Sequence, residues 1–192
     1  KGHRVILANP GAGKSVLLLS KAYKYASIYK DSKILLTCYN NNLADAYNFK
    51  RNCADFGDNN NLHIMTFHKL VKKIYEECVG TRCEGLYPSD DEIRRCADYI
   101  RSGKVKLRFL AIFIDEVQMC KDFEKAVNGL HASEKYDIYI TGSNAYMLSG
   151  DLATLLTGRY VEISMLPISF SEYCQLYLQY QFLLDCCGIF HP

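Results

Sequence analysis

Short apolar runs alternate along the chain with longer stretches in which apolar residues recur at helical spacing. The apolar runs predict six strands, at residues 4–8, 33–39, 62–66, 109–114, 137–141 and 160–164. The longer stretches predict helices at residues 14–29, 43–53, 67–78, 89–101, 122–133, 151–156 and from 169 onward. Strands of near-continuous apolar character, separated by helices, are typical of a parallel sheet that is covered on both faces. We therefore expect an α/β fold whose ligands bind where the carboxyl ends of the strands meet.

Polar residues predict where two of these helices begin. Ser89 and Ser169 each stand three residues before a glutamate, Glu92 and Glu172, which is the capping-box pattern. In this pattern the serine hydroxyl accepts a hydrogen bond from the glutamate backbone, and the glutamate side chain accepts one from the serine backbone. Gly103 is expected to end the helix that follows Ser89.

The loop after the first strand reads Ala-Asn-Pro-Gly-Ala-Gly-Lys-Ser at residues 8–15, a phosphate-binding loop pattern with Ala8 in place of the first consensus glycine. Small residues allow backbone N–H groups to close around a phosphate at the positive N-terminus of the following helix. Lys14 would reach the β- and γ-phosphates, and the Ser15 hydroxyl would bind Mg²⁺. A plain strand-to-helix turn is the alternative, but Gly-Lys-Ser in this context favours nucleotide binding. The predicted nucleotide-binding residues are Asn9, Pro10, Gly11, Ala12, Gly13, Lys14, Ser15 and Val16.

The apolar strand at residues 109–114 ends in two acidic residues, Asp115 and Glu116. This arrangement has the form of a Walker B segment, in which a buried strand holds the first carboxylate at its tip. Asp115 would bind Mg²⁺ directly or through water, and Glu116 would orient and deprotonate the attacking water. Two solvated acids at the end of a strand are the alternative, and the phosphate loop upstream favours the catalytic interpretation. The predicted metal ligands are Ser15 and Asp115.

Three further polar residues are candidate catalytic groups. Gln118 would sense the γ-phosphate or position water, and Ser143 or Asn144 would sense the γ-phosphate at the next strand tip. Arg159 would act as an arginine finger on a neighbouring subunit. Each has a structural alternative that spacing does not exclude: Gln118 and Arg159 as solvated surface residues, and Asn144 as part of a Gly-Ser-Asn turn.

The composition is that of a globular protein and does not indicate a particular binding partner. The chain has 192 residues, of which 49% are hydrophobic and 23% charged, as in ordinary globular domains. We predict one domain at residues 1–178 and a tail at 179–192 that has lost its natural continuation. The net charge of +2 neither requires nor excludes nucleic acid. No apolar run approaches ~18 residues and no secretory leader is visible, so we expect neither a membrane span nor export.

Nine cysteines, an odd number, occur without a Cys-x-x-Cys pair. This usage favours free thiols in a reducing cytoplasm, and a zinc site is not expected. The chain begins at Lys1, close to the first strand, so we expect it to be a piece of a longer protein.

Residues 1–118 resemble the first motor lobe of superfamily 1, UvrD/Rep-like DNA helicases. Besides the phosphate loop, the matching segments are residues 34–40 (Ile-Leu-Leu-Thr-Cys-Tyr-Asn, like motif Ia), 64–68 (Ile-Met-Thr-Phe-His, like motif Ib) and 115–118 (Asp-Glu-Val-Gln, like motif II). The resemblance implies contacts with single-stranded DNA at Tyr39, Asn40, Thr66, Phe67 and His68. Stacking on bases would suit Tyr39 and Phe67. Taken singly, aromatic residues such as Tyr39 and Phe67 are more often core residues than DNA contacts. His68 taken singly is more often a polar residue at the start of a helix.

Residues 113–178 resemble prokaryotic AAA-type ATPases instead. The matching segments are residues 137–144 (Asp-Ile-Tyr-Ile-Thr-Gly-Ser-Asn, a sensor strand), 155–163 (Leu-Leu-Thr-Gly-Arg-Tyr-Val-Glu-Ile) and 166–173 (Leu-Pro-Ile-Ser-Phe-Ser-Glu-Tyr). Helicase motif III, a Gly-Asp-x-x-Gln pattern, does not occur after Gln118. We therefore hypothesise a junction between two families near residues 112–118.

Together the motifs predict a three-layer α/β/α, RecA-like P-loop NTPase core with a mostly parallel sheet, of the type with an additional strand and a catalytic glutamate. We expect this core to bind ATP and Mg²⁺ and to hydrolyse the γ-phosphate by in-line attack of a water activated by Glu116. One alternative is the first lobe of a DNA helicase, which is incomplete without a second motor lobe or a neighbouring subunit. The other is a nucleotide-dependent switch or interaction module without useful turnover.

Overall fold

The computed structural model describes residues 3–53, 60–105, 108–119, 127, 135–143, 160–167 and 169–175. The strands are His3–Ala8 (β1), Lys33–Cys38 (β2), Leu62–Thr66 (β3), Phe109–Ile114 (β4), Asp137–Ser143 (β5) and Val161–Met165 (β6). The longer helices are Lys14–Ile28 (α1), Asn41–Cys53 (α2), Phe67–Val79 (α3) and Asp90–Arg101 (α4), and a 3₁₀ turn covers Val117–Met119. These bounds agree with the predicted ones to within two residues. The helices predicted at 122–133 and 151–156 and the tail at 179–192 lie outside the described residues, apart from Val127.

The strands form one six-stranded sheet in the order β3-β2-β4-β5-β1-β6. Every strand pair in this sheet is parallel, which confirms the predicted α/β class. Strand β5 lies between the strand that precedes the phosphate loop, β1, and the strand that precedes the acidic pair, β4. This strand is the additional one that the sequence predicted for this type of core.

Alternate residues of the central strands face two separate cores, one on each side of the sheet. Ile6 and Tyr139 face the core that α1 and α2 cover, where Leu18 is fully buried. Val5 and Ile138 face the opposite core together with residues that follow β4. Because successive side chains of a strand point to opposite faces, a central strand needs apolar residues at every position. The near-continuous apolar runs in the sequence are explained by this two-sided burial.

A third, smaller core joins α3 to α4 at the side of the sheet. Val71 and Ile74 of α3 pack there with Cys96 of α4. Helix α4 begins with the predicted capping box, because the Ser89 side chain accepts from the Glu92 backbone and the Glu92 side chain accepts from the Ser89 backbone. A cap of this kind contributes about 1 kcal/mol to stability.

The second predicted capping box is also confirmed. The Ser169 hydroxyl accepts from the Glu172 backbone at 3.2 Å, and the Glu172 carboxylate accepts from the Ser169 backbone at 2.8 Å. Residues 170–175 are helical. Gly103 lies two residues beyond the last residue of α4 with φ 73°, a left-handed conformation, as expected for a glycine that ends a helix.

The parallel arrangement brings the carboxyl ends of all the strands to one edge of the sheet. Ala8 pairs with Ser143, and Cys38 with Thr66, at the ends of their strands. The phosphate loop, the acidic pair and the residues predicted to contact DNA each lie at one of these strand ends. Within the described part of the chain, no helix combines the length and apolar character that a membrane span needs.

Candidate nucleotide-binding site

Two glycines give the loop between β1 and α1 its shape. Gly11 has φ 80° and Gly13 has φ 85°, both in the left-handed region that other residues rarely adopt. A Cβ added at either position would meet nothing within 4 Å, so backbone conformation rather than space requires glycine. Gly13 is the N-cap of α1 and has no side chain to cap it, so the helix begins with N–H groups suited to an anion.

Lys14 lies at the centre of this loop with its charge buried. The side chain is 7% exposed, and its Nζ donates to the backbone oxygens of Ala8 at 3.1 Å and Asn9 at 3.2 Å. An ammonium group has three hydrogens, so one remains for another acceptor. The sequence therefore places a positive charge at the N-terminus of α1, where a phosphate is favoured electrostatically.

Asp115 follows β4 and is only 2% exposed. One carboxylate oxygen accepts a hydrogen bond from the Tyr47 hydroxyl, and the other accepts one from the Thr141 hydroxyl. The Asp115 backbone N–H donates to the Thr37 carbonyl at 2.9 Å, which ties the end of β4 to β2. The ion pairs found among the described residues all lie on the surface and do not include Asp115. Asp115 is thus a buried carboxylate that two neutral hydroxyls satisfy.

Tyr47 was not predicted as a site residue. It is a buried residue of α2, and its hydroxyl donates a hydrogen bond to the Asp115 carboxylate. Burial, and then the charge of Asp115, raise the pKa of Tyr47 well above its ordinary value, while Ser15 acts in the opposite direction. Tyr47 is therefore a neutral hydrogen-bond donor at ordinary pH. In the sequence its helical spacing from Leu43 and Ala44 indicates only a core residue.

Cys38, at the end of β2, is a neutral neighbour of Asp115. Burial first, and then Asp115, raise the pKa of the Cys38 thiol to about 11, so this thiol is neutral near pH 7. Carboxylate and hydroxyl oxygens are the ligands that Mg²⁺ prefers. A buried carboxylate with no cationic partner among the described residues fits the metal that the sequence predicted.

Glu116 has an unusual backbone conformation. Its φ is 52°, the only positive value at a non-glycine position among the described residues. Its backbone N–H donates to the Thr141 hydroxyl at 3.2 Å, and its carboxylate accepts a hydrogen bond from the Gln118 amide. The structure therefore brings Glu116, Gln118 and Asp115 together around Thr141. The other two predicted catalytic residues, Asn144 and Arg159, lie outside the described residues.

The residues predicted to contact single-stranded DNA lie at the ends of β2 and β3. Tyr39 is 43% exposed and Phe67 is 37% exposed, so both are surface residues rather than core residues. The His68 ring lies 6.0 Å from the Phe67 ring and 5.0 Å from that of Tyr87, an exposed residue that the sequence analysis did not select. Phe67, His68 and Tyr87 thus form one cluster of rings, and Tyr39 is exposed at the neighbouring strand end.

Two of the residues predicted to contact DNA, Asn40 and Thr66, cap the helices that follow them. The Asn40 side-chain oxygen accepts from the Leu43 backbone at 2.7 Å, where α2 begins. Thr66 is 3% exposed, and its hydroxyl accepts from the Lys69 backbone at 3.3 Å as the N-cap of α3. Helix capping accounts for both residue types at these positions.

A family model described as AAA domain matches residues 10–174 of this chain. The chain belongs to this AAA domain family. The match runs from the phosphate loop through the acidic pair into α-helical residues 170–174, and so extends across residues 112–118, where the sequence suggested a junction. Membership in the family confirms that this AAA domain is a P-loop NTPase with a nucleotide-binding site.

Proteins similar in sequence match parts of the AAA domain. A Haemophilus influenzae protein named only as uncharacterized is 54% identical over 72 residues, which are 38% of this chain and 17% of that protein. A Methanocaldococcus jannaschii protein, also named as uncharacterized, is 39% identical over 62 residues, 32% of this chain and 14% of that protein. The matched segments are therefore a small part of both relatives.

Two solved structures are similar to the AAA domain at low sequence identity. The cytoplasmic domain of the Thermomonospora curvata type VII secretion ATPase EccC is 12% identical with a TM-score of 0.47, and covers 85% of this chain and 19% of that one. The Pif1 helicase from Candida albicans is 15% identical with a TM-score of 0.49, and covers 93% of this chain and 39% of that one. This chain thus spans less than half the length of each.

Proposed function

We propose that this AAA domain binds ATP with Mg²⁺ and hydrolyses the bond to its γ-phosphate. The observation that carries the proposal is that β1 and β4 flank β5 in the parallel sheet, so the phosphate loop and the buried Asp115 follow strand ends at the same edge. Residues 9–16 hold the phosphates with backbone N–H groups and the Lys14 ammonium. Residues 1–178 act as one domain.

Ser15 and Asp115 hold the metal in this proposal. Bound Mg²⁺ supplies positive charge that neutralises the developing charge on the phosphate oxygens. Glu116 stands next to Asp115, where it orients the attacking water and accepts its proton. Gln118 holds the Glu116 carboxylate through its amide, and Asn144 and Arg159 sense or stabilise the γ-phosphate.

Nucleotide binding is tested with a fluorescently labelled ATP and two lysine variants. Lys14→Ala removes the buried ammonium, and a hydrogen bond to a charged group contributes about 1.5–3 kcal/mol. We expect the dissociation constant to rise at least about tenfold. Lys72→Ala is the matched control, because the Lys72 ammonium also donates to two backbone oxygens, those of Gly85 at 2.9 Å and Leu86 at 2.8 Å. Unchanged affinity in Lys14→Ala would refute the proposal.

A second candidate function is binding of single-stranded DNA at the carboxyl ends of β2 and β3. Its support is the exposure of Phe67 and Tyr87 in one ring cluster with His68, and the exposure of Tyr39 at the neighbouring strand end. Stacking of a base on an aromatic ring contributes about 1–3 kcal/mol and is tolerant of sequence. On this proposal the AAA domain is the motor of a DNA-associated protein, working with a second lobe or a neighbouring subunit.

DNA binding is tested with labelled oligothymidylate and two tyrosine variants. Tyr39→Ala should weaken binding about tenfold, because it removes a stacking platform. Tyr29→Ala is the control, since Tyr29 is similarly exposed, at 45%, but lies at the end of α1 before β2 begins. Equal affinities of the two variants for DNA would count against this surface as the binding site. If DNA neither binds to the wild-type domain nor stimulates its ATP turnover, binding of single-stranded DNA is excluded as a function of this domain.

A further inference from the structure

The segment between α3 and α4, residues 80–89, carries an exposed aromatic residue, Tyr87. Its side chain is 59% exposed, and its ring centroid lies 5.0 Å from that of His68, with the two ring planes at 64°. The His68 ring in turn lies 6.0 Å from the Phe67 ring, at 67°. Tyr87 therefore adds a ring from a second segment of the chain to the cluster that begins where β3 ends.

The backbone on both sides of the Tyr87 ring is held by contacts within the chain. The Lys72 ammonium donates to the carbonyl oxygens of Gly85 at 2.9 Å and Leu86 at 2.8 Å. A Cβ added to Gly85 would lie 2.9 Å from the Tyr87 carbonyl oxygen, so the chain folds back closely here. Pro88 is buried, and a residue that precedes proline is restricted to extended conformations. The exposed ring thus stands on a fixed backbone.

We propose that Tyr87 is a further ring on which single-stranded DNA stacks a base, beside Phe67. This inference rests on the second candidate function, the binding of single-stranded DNA at the carboxyl ends of β2 and β3. Stacking on an aromatic ring is tolerant of sequence, because every base has a flat π-face. A ring whose backbone is already fixed loses less conformational entropy on binding, so more of the stacking energy remains as affinity.

The charges around the cluster fit a DNA strand and indicate its orientation. Lys69 and Lys73 are exposed on α3 one turn apart, and the first turn of this helix has no acidic residue, so phosphates are attracted there. Glu84 and Asp90, also exposed, each stand three residues from Tyr87 along the chain. Carboxylates repel phosphate groups, so an uncharged base is the part of the strand that suits the Tyr87 ring.

The test is the affinity of Tyr87 variants for labelled oligothymidylate, with circular dichroism as the check of folding. Tyr87→Ala and Tyr87→Leu both remove the flat ring, and we expect each to weaken binding about tenfold. Tyr87→Phe retains the ring and should bind as wild type does. Tyr173→Ala is the matched control, because Tyr173 is 58% exposed but follows β6, at the opposite edge of the sheet from β3.

Salt dependence separates a base contact from a phosphate contact. The logarithm of the affinity falls linearly with the logarithm of the salt concentration, and the slope grows with the number of phosphates that the protein neutralises. Tyr87→Ala should leave this slope unchanged, whereas Lys69→Ala should reduce it by about one. A reduced slope in Tyr87→Ala would overturn the inference, because the substitution would then have removed phosphate contacts. An unchanged slope in Lys69→Ala would contradict the proposed orientation of the strand.

The outcomes also separate this inference from the function on which it rests. Wild-type protein that does not bind oligothymidylate would overturn both. Weakened binding in Tyr39→Ala, together with wild-type affinity in Tyr87→Ala, would overturn the inference alone. Tyr87→Phe that binds as weakly as Tyr87→Ala would overturn it as well, because the hydroxyl rather than the ring would then be the group in contact.

A second measurement reports on the contact directly. The chain contains no tryptophan, so Tyr87→Trp introduces a single fluorescent reporter at the proposed contact. We expect oligothymidylate to quench its emission, because a base stacks on the indole ring, and the emission of Tyr173→Trp to stay constant. Constant emission of Tyr87→Trp under conditions where the labelled oligonucleotide binds would contradict the contact.

Discussion

The side-chain amide of Gln118 donates a hydrogen bond to the carboxylate of Glu116, two residues before it. A two-residue separation allows this contact because the chain turns sharply after β4, with Glu116 at φ 52° and a 3₁₀ turn from Val117 to Met119. Backbone conformations of this kind are uncommon outside glycine and concentrate at functional sites. The contact fixes the direction of the carboxylate that we propose as the catalytic base.

Glu116→Gln should abolish ATP turnover and leave nucleotide affinity unchanged. The amide retains the shape of the side chain but cannot accept a proton, and general-base catalysis contributes about 10²–10⁴-fold. A coupled ATPase assay and labelled-ATP binding measure the two effects. Glu162→Gln is the matched control, because the Glu162 carboxylate likewise accepts a hydrogen bond from a residue two positions later, Ser164, on the exposed strand β6.

Undiminished turnover in Glu116→Gln would remove the catalytic assignment. The attacking water would then be activated by another group. The alternative of a nucleotide-dependent switch would be favoured by wild-type protein that binds nucleotide through Lys14 and Asp115 and shows no turnover. Weaker nucleotide binding in this variant, with turnover falling in proportion, would instead assign Glu116 to ligand binding.

Two buried threonines are expected to differ in their contribution to stability. Thr141→Val removes the hydroxyl that donates to Asp115 and accepts from the Glu116 backbone, and should reduce the free energy of unfolding by about 1–3 kcal/mol. The Thr37 hydroxyl is buried without a hydrogen-bond partner among the described residues, so Thr37→Val should be neutral or stabilising. Urea denaturation measures both. Equal destabilisation by the two substitutions would contradict a stabilising role of the hydrogen bonds that join Thr141 to Asp115 and Glu116.

Two left-handed glycines form another matched pair. Gly13→Ala in the phosphate loop and Gly80→Ala at the end of α3 each place a side chain at a φ near 80°, which costs roughly 1–2 kcal/mol. Neither added Cβ would meet an atom within 4 Å, so the two variants should lose similar stability. Only Gly13→Ala should also weaken nucleotide binding. Normal affinity in Gly13→Ala would show that the loop conformation is not needed for binding.

His63 is expected to make stability fall in mild acid. Burial first, and then the nearby charges of Lys73, Lys33 and Arg51, lower its pKa below the usual 6.5. As pH falls below 6.5, the unfolded chain takes up a proton that the folded chain refuses, so the unfolded state is favoured. Denaturation curves should therefore show less stability lost between about pH 7 and pH 5 in His63→Gln than in wild type. Equal losses of stability in wild type and in His63→Gln would show that other groups cause the pH dependence.

The local sequence pattern was sufficient to predict the strands, the helices and the helix caps. The spacing of Ser89 and Glu92 predicted a helix start that the hydrogen bonds confirm, because a capping box involves only residues within one turn. The apolar run before Asp115 predicted a two-sided strand for the same reason, since side-chain alternation is a property of the strand itself. Tyr39 and Phe67 show the limit of this approach, because their exposure depends on which elements cover them.

The amino-acid pattern alone was enough to predict a parallel α/β sheet, a phosphate loop after one strand and an acidic pair after another. These follow from short-range order, in which each residue type suits the backbone of its own segment. The fold alone shows that β6 lies at the edge of the sheet beside β1, and that Tyr47 lies against Asp115 from 68 residues away. Strand order and such contacts arise from the packing of whole elements, and no local spacing encodes which helix lies over which strand end. The chemistry at Asp115 depends on that packing, because a neighbouring helix supplies the hydroxyl that holds the carboxylate.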